Sequence, residues 1–168
     1  MAMLPDYENG IREKVFKDFF SIFEHWLFGL LRLWLTAYPQ GLGARTLEFK
    51  TVRELGSIDT VTAHVVGKEL HELAYDKPAE WFAYIEKRMK LGCPTAEEIE
   101  RFSEAKASRD VLEHHRGYAN ALYIQKSGKL ARFKDGERIE IDGPYFRAVF
   151  DLLLKLVADM GATAEGKT

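Results

Sequence analysis

The sequence predicts an all-α (mainly α) protein, a helical bundle of about five helices with a small β-ribbon inserted before the C-terminal helix. Three observations predict it. Apolar residues recur at helical spacing over long stretches. Helix-start signals (Ser57 or Asp59, Thr95 with Glu98, and Asp142) stand at the head of several of those stretches. One segment, "KLARFKDGERIEID", alternates instead around Asp135-Gly136 like a small hairpin. At 168 residues the chain reads as a single domain over 1–160 with a flexible small-residue tail at 161–168.

The first helix is predicted from about Tyr7 to Tyr38, where Pro39, Gly41 and Gly43 stop it. Its apolar set, including Phe16, Phe19, Phe20, Ile22, Phe23, Trp26, Leu27, Leu30, Leu31, Trp34 and Leu35, is wider than one stripe, so two sides need cover. An exposed patch of that size predicts a dimer. "TLEFKTVREL" reads as a short helix after an extended segment, and a clearer helix follows from Ile58 to Ala74. The next covers about Ala79 to Leu91, with Pro78 in its first turn. Thr95 and Glu98 form a capping box for a helix that should continue to Arg116 and stop at Gly117. "YANALYIQKSG" is a short helix or loop, and a stripe of Phe146, Val149, Phe150, Leu153, Leu154 and Val157 marks the last helix.

Composition narrows the function classes. Net charge is −2, so the whole molecule has no electrostatic claim on nucleic acid. The distribution is uneven: Glu69 to Glu104 carries nine acids against five bases, and Arg116 to Arg138 carries six bases against two acids. The lone Cys93 cannot form an internal bridge, and "HWLFGLLRLWLTAY" is interrupted by Arg32 and too short to span a bilayer. The acidic start, Asp6 and Glu8, does not read as a signal peptide. A cytoplasmic protein without membrane contact is expected. No histidine stands at a Glu-x-x-His spacing and one cysteine makes no thiolate site, so no metal and no cofactor are expected. His64 and His71 share a helical face near Glu69 and Glu72, and read as surface or partly buried residues.

The stretch "SRDVLEHHRG" concentrates chemistry. Projected on a helix from Arg109, Asp110 falls at about 100°, His114 at about 140°, Val111 at about 200°, His115 at about 240° and Leu112 at about 300°. His114 is therefore the i+4 neighbour of Asp110, whose carboxylate could orient its ring, whereas His115 lies on the apolar arc. Arg109 is placed to pair with Glu113 and shares a side with Arg116. Imidazole moves protons near neutrality and guanidinium grips phosphate oxygens, a combination suited to transfer of an RNA phosphodiester by its own 2′-hydroxyl. An angle of about 140° between Arg109 and His114 does not aim both at one atom, and a two-fold partner resolves this by making a composite site. The spacing alone is weak, because this composition supplies about a third of an Arg-x4-His match by chance. A helix end merely carrying cations against its dipole would look the same.

The longer string "RDVLEHHRGYANALYIQKSGKLARFKDGERIEIDGPYF" resembles the HEPN superfamily of small all-α nucleases and nucleotide-associated proteins. In that family an Arg, a polar residue, three variable residues and a His end a helix, matched here by Arg109, Asp110, Val111-Leu112-Glu113 and His114. Gly117, Asn120, Tyr123, "DGERIEID" and Tyr145-Phe146 fill places that follow in some branches. The resemblance implies metal-independent RNA cleavage by a homodimer with facing motifs, in a toxin-antitoxin, defence or RNA-processing setting, and an antitoxin or nucleotidyltransferase as a further partner. Arg109 and His114 are then catalytic with Asp110 at the polar position; Arg116, Asn120, Tyr123 and Lys126 are candidate RNA contacts. Asp110 and His115 depart from the family, whose members often place Asn there. The alternative is a catalytically inactive HEPN-like dimer that binds a protein or nucleotide.

Overall fold

The computed structural model describes residues 3–166. Among them are seven α-helices: α1 Met3–Ala37, α2 Phe49–Leu55, α3 Ile58–Ala74, α4 Pro78–Met89, α5 Ala96–His114, α6 Ala121–Ser127 and α7 Gly143–Glu165. Short 3₁₀ turns follow α1 (Pro39–Leu42) and α6 (Gly128–Leu130). The all-α class holds, with short α2 and α6 added to the five long helices. α7 runs through residues 161–165, which the sequence places in a tail; the last two residues of that tail, 167 and 168, lie outside the described residues. No helix among the described residues is long and apolar enough to cross a membrane.

α1 is the spine. Phe16, Phe20, Phe23, Leu27, Leu31 and Leu35 recur every three or four residues and are all buried against α3, α5 and α7. Phe102 of α5 sits at the centre of an aromatic cluster, with ring centroids 5.1 Å from Phe23, 5.3 Å from Phe82 and 5.5 Å from Phe20. Each such ring contributes about 1.5–3 kcal/mol by leaving water, so α1, α4 and α5 cannot separate cheaply. Helix starts follow their side-chain acceptors: Ser57 and Thr60 close a capping box on α3, Thr95 and Glu98 one on α5, and Asn120 and Asp142 cap α6 and α7.

The expected β-ribbon is absent: among the described residues no strand forms. Its turn exists, with Gly136 at φ 80 and Glu137 N–H donating to Lys134 O at 3.0 Å. The second arm pairs with the loop after α5 instead, as Ala119 N–H donates to Glu137 O at 2.8 Å and Ile139 N–H to Gly117 O at 2.8 Å, closing one bridge, Tyr118 to Arg138. The would-be first arm has other partners. Leu130 ends a 3₁₀ turn, and Arg132 donates its N–H to the Tyr123 hydroxyl at 3.0 Å and its Nε to Glu104 at 3.2 Å.

Candidate functional site at the end of the fifth helix

α5 presents a polar stripe toward α4 and α6. Measured around the helix from Arg109 as before, Lys106 falls at about 60°, Ser103 at about 120° and Ala107 at about 160°, so these three, Asp110 and His114 line one face. The Asp110 carboxylate accepts from Lys106 Nζ at 3.4 Å, from Arg109 NH1 at 3.2 Å and, across the groove, from Lys126 Nζ of α6 at 3.3 Å. Lys106 also pairs with Glu24 of α1 at 2.9 Å and lies over the Trp81 ring. Burial alone would push the Asp110 carboxyl up, but the three cations, Lys106 foremost, hold it below the usual carboxylate range. The result is a cationic knot around one ionised carboxylate.

Two expected pairings are replaced. Glu113 binds Lys17 of α1 at 3.0 Å and not Arg109, whose guanidinium turns to Asp110. Asp110 makes no hydrogen bond to His114; its oxygens are taken by cations on three sides. His114 is exposed, and its ring nitrogens have no hydrogen-bond partner among the described residues. It stands on the last helical turn, one turn, or roughly 6 Å of rise, beyond Asp110.

The helix stops two residues before the expected end. His115 is its C-cap and leaves helical geometry at φ −124, Arg116 is left-handed at φ 54, and Gly117 follows at φ 80, donating back to Val111 O at 3.2 Å. His115 is consequently exposed and not packed on an apolar arc, and Arg116 has left the side it would share with Arg109.

The other candidate contacts divide. Asn120 spends its side chain on the Tyr123 N–H at 2.9 Å as the α6 cap. Tyr123 is buried: its hydroxyl donates to Glu104 at 3.1 Å, which also receives Ser108 at 2.9 Å, Tyr145 at 2.7 Å and Arg132. Burial, together with the Glu104 charge, raises both tyrosine hydroxyls above their ordinary value, Tyr145 the more strongly. Tyr123 is thus a core residue fastening α6 and α7 to α5. Of the predicted residues, the fold brings Arg109, Asp110 and Lys126 together, sets His114 beside them, and separates Asn120, Tyr123 and Arg116.

Beside this knot a cleft of ≈ 220 Å³ opens between the α3–α4 turn, α5 and α6, lined by Tyr75, Lys77, Pro78, Ala79, Lys106, Asp110, Leu122, Gln125 and Lys126 among others. Sequence reasoning missed Lys106, Tyr75, Lys77 and Gln125. Lys106, four residues before Asp110, was within reach of the same helix arithmetic; the others arrive only through tertiary packing. Among the described residues no three His, Cys, Asp or Glu side chains converge as metal ligands. Comparison with protein-family models, with curated proteins and with solved structures gives no match to this chain.

Proposed function

We propose that this chain is a metal-independent endoribonuclease of HEPN type, working as a homodimer in a toxin-antitoxin, defence or RNA-processing setting. The reading is carried by one observation: an exposed His114 with no hydrogen bond to its ring stands one helical turn beyond Asp110, the carboxylate on which Lys106, Arg109 and Lys126 converge. In the proposed reaction the 2′-hydroxyl oxygen attacks the adjacent phosphorus while His114 takes its proton. Charge building on the phosphoryl oxygens is held by Arg109, and the P–O5′ bond breaks as the His114 ring passes the proton it took to the leaving 5′-oxygen. The products are a 2′,3′-cyclic phosphate and a 5′-hydroxyl. Dimerisation is supported by the face of α1 bearing Ile22 and Leu33, 66% and 72% exposed, three turns and about 20° apart.

The test is RNA incubated with chelator and either the wild type or His114→Ala. Cleavage by the wild type alone is expected; equal cleavage by both, or none by either, overturns the proposal. A second reading, a catalytically silent dimer binding a protein such as an antitoxin or nucleotidyltransferase, is favoured by Arg109, which is only 17% exposed and already occupied by Asp110. Under it His114→Ala leaves binding of the partner intact.

A further inference from the structure

We infer that the cleft beside Asp110 seats one unpaired nucleobase of RNA, stacked on Tyr75 and read at its edge by Gln125; the inference rests on the ribonuclease reading of the adjoining stripe. The cleft, at ≈ 220 Å³, is smaller than the roughly 300 Å³ at which drug-sized sites begin, which suits a single heterocycle. Its walls are largely carbon from Tyr75, Pro78, Ala79, Ala107 and Leu122. Tyr75, the residue ending α3, is 81% exposed, with the His71 ring at 5.1 Å in a T-shaped contact, so its ring is open to a stacking partner.

An aromatic platform accepts any base face; discrimination needs a donor and an acceptor at the edge. The Gln125 amide supplies both and has no hydrogen-bond partner among the described residues, so binding a base breaks no existing contact. Lys106 and Lys126 at the rim are already paired with Glu24 and Asp110, whereas Lys77 has no ion pair among the described residues and is the cation left for a phosphate of the strand. Asp110 belongs to both cleft and knot, and His114 continues the cleft-lining stripe of α5 by one turn, so a base held here lays its own phosphate toward His114.

The experiment measures fluorescence anisotropy of short 2′-O-methyl homopolymers of A, C, G and U, which lack the attacking hydroxyl and cannot be cut by the proposed route. Tyr75→Ala should weaken binding of the preferred homopolymer about tenfold, while Tyr75→Phe keeps it. Gln125→Leu, an exposed change on α6, should reduce the ratio between best and worst homopolymer by about fivefold or more. Wild-type binding to none of the four, or Tyr75→Ala and Gln125→Leu proteins that bind all four as the wild type does, overturns the subsite. Cleavage of unmodified RNA is scored separately. Wild-type cutting with Tyr75-independent binding removes the subsite and leaves the nuclease; Tyr75-dependent binding without cutting does the reverse.

Discussion

Asp110→Asn should destabilise the fold and yet tighten RNA binding. The carboxylate is 20% exposed and receives three cations at 3.2 to 3.4 Å. Pairs this close to solvent contribute about 0.5–1 kcal/mol each. Asn keeps the shape and one acceptor, and Lys106 keeps Glu24, so the net loss is about 1–2 kcal/mol, or about 2–8 °C in Tm for a chain of this size. The same substitution releases Arg109 and Lys126 for phosphates. Two added contacts should steepen the dependence of log affinity on log salt by about 1.4 for single-stranded RNA. Thermal unfolding by circular dichroism and anisotropy titrations across potassium chloride concentrations read the two effects. A variant that melts with the wild type and shows the same salt slope refutes the reasoning. Were Asp110 instead the orienter of His114, as the i+4 spacing predicts, affinity would stay constant and only the cleavage rate would fall.

Glu104→Ala removes a buried acceptor shared by Ser108, Tyr123, Tyr145 and Arg132, and should lower stability by about 3 kcal/mol, or about 6–12 °C in Tm, with Glu104→Gln losing clearly less. Arg116→Gly relieves a left-handed arginine at φ 54 and should raise Tm by about 1–4 °C; if the guanidinium also meets RNA, the salt slope becomes shallower by about 0.7. Lys155 and the Thr95 N–H hold Glu98 below the ordinary range, Lys17 does the same for Glu113, and the cations hold Asp110 there against its burial. Their folded values lie below the unfolded ones, so this stability is present above about pH 4.5 and is lost as pH falls through the folded values. Urea midpoints should therefore be level from pH 7 to 5 and fall toward pH 3; a midpoint unchanged at pH 3 contradicts the pairing. Ile22→Glu with Leu33→Glu should convert the proposed dimer to a monomer in light scattering, and an unchanged mass places the interface elsewhere.

How much was legible follows the range of each interaction. The starts of α3 and α5 are written in nearby residues, the Ser57 cap and the Thr95–Glu98 box, so local reading finds them. Alternation in "KLARFKDGERIEID" encodes which face a residue takes but names no partner, and Tyr123 and Glu104 claim Arg132 from far along the chain. The site divides the same way. Arg109, Asp110 and His114 are located by helix arithmetic. The competition for Asp110 is decided by Lys126, sixteen residues away and on another helix, which no periodicity reveals. The early end of α5 depended on Arg116 itself adopting a left-handed backbone, a conformation expected one residue later, at Gly117.

The carboxylate in the knot changes the geometric problem that a dimer is invoked to solve. Read from helical periodicity alone, Arg109 and His114 leave α5 about 140° apart. Asp110 lies between them in projection and draws the guanidinium toward a residue about 40° from His114 around the helix and one turn before it along the axis. A phosphate entering this stripe would meet Lys106, Lys126 and Arg109 by taking over the place Asp110 holds among them, exchanging one anion for another with little movement of the cations. On this account the acid is no misfit beside a phosphate site. It keeps three like charges together, so in the proposed reaction the cations are already gathered where a phosphate would bind. In the proposed dimer a second subunit would add a second knot along the same strand.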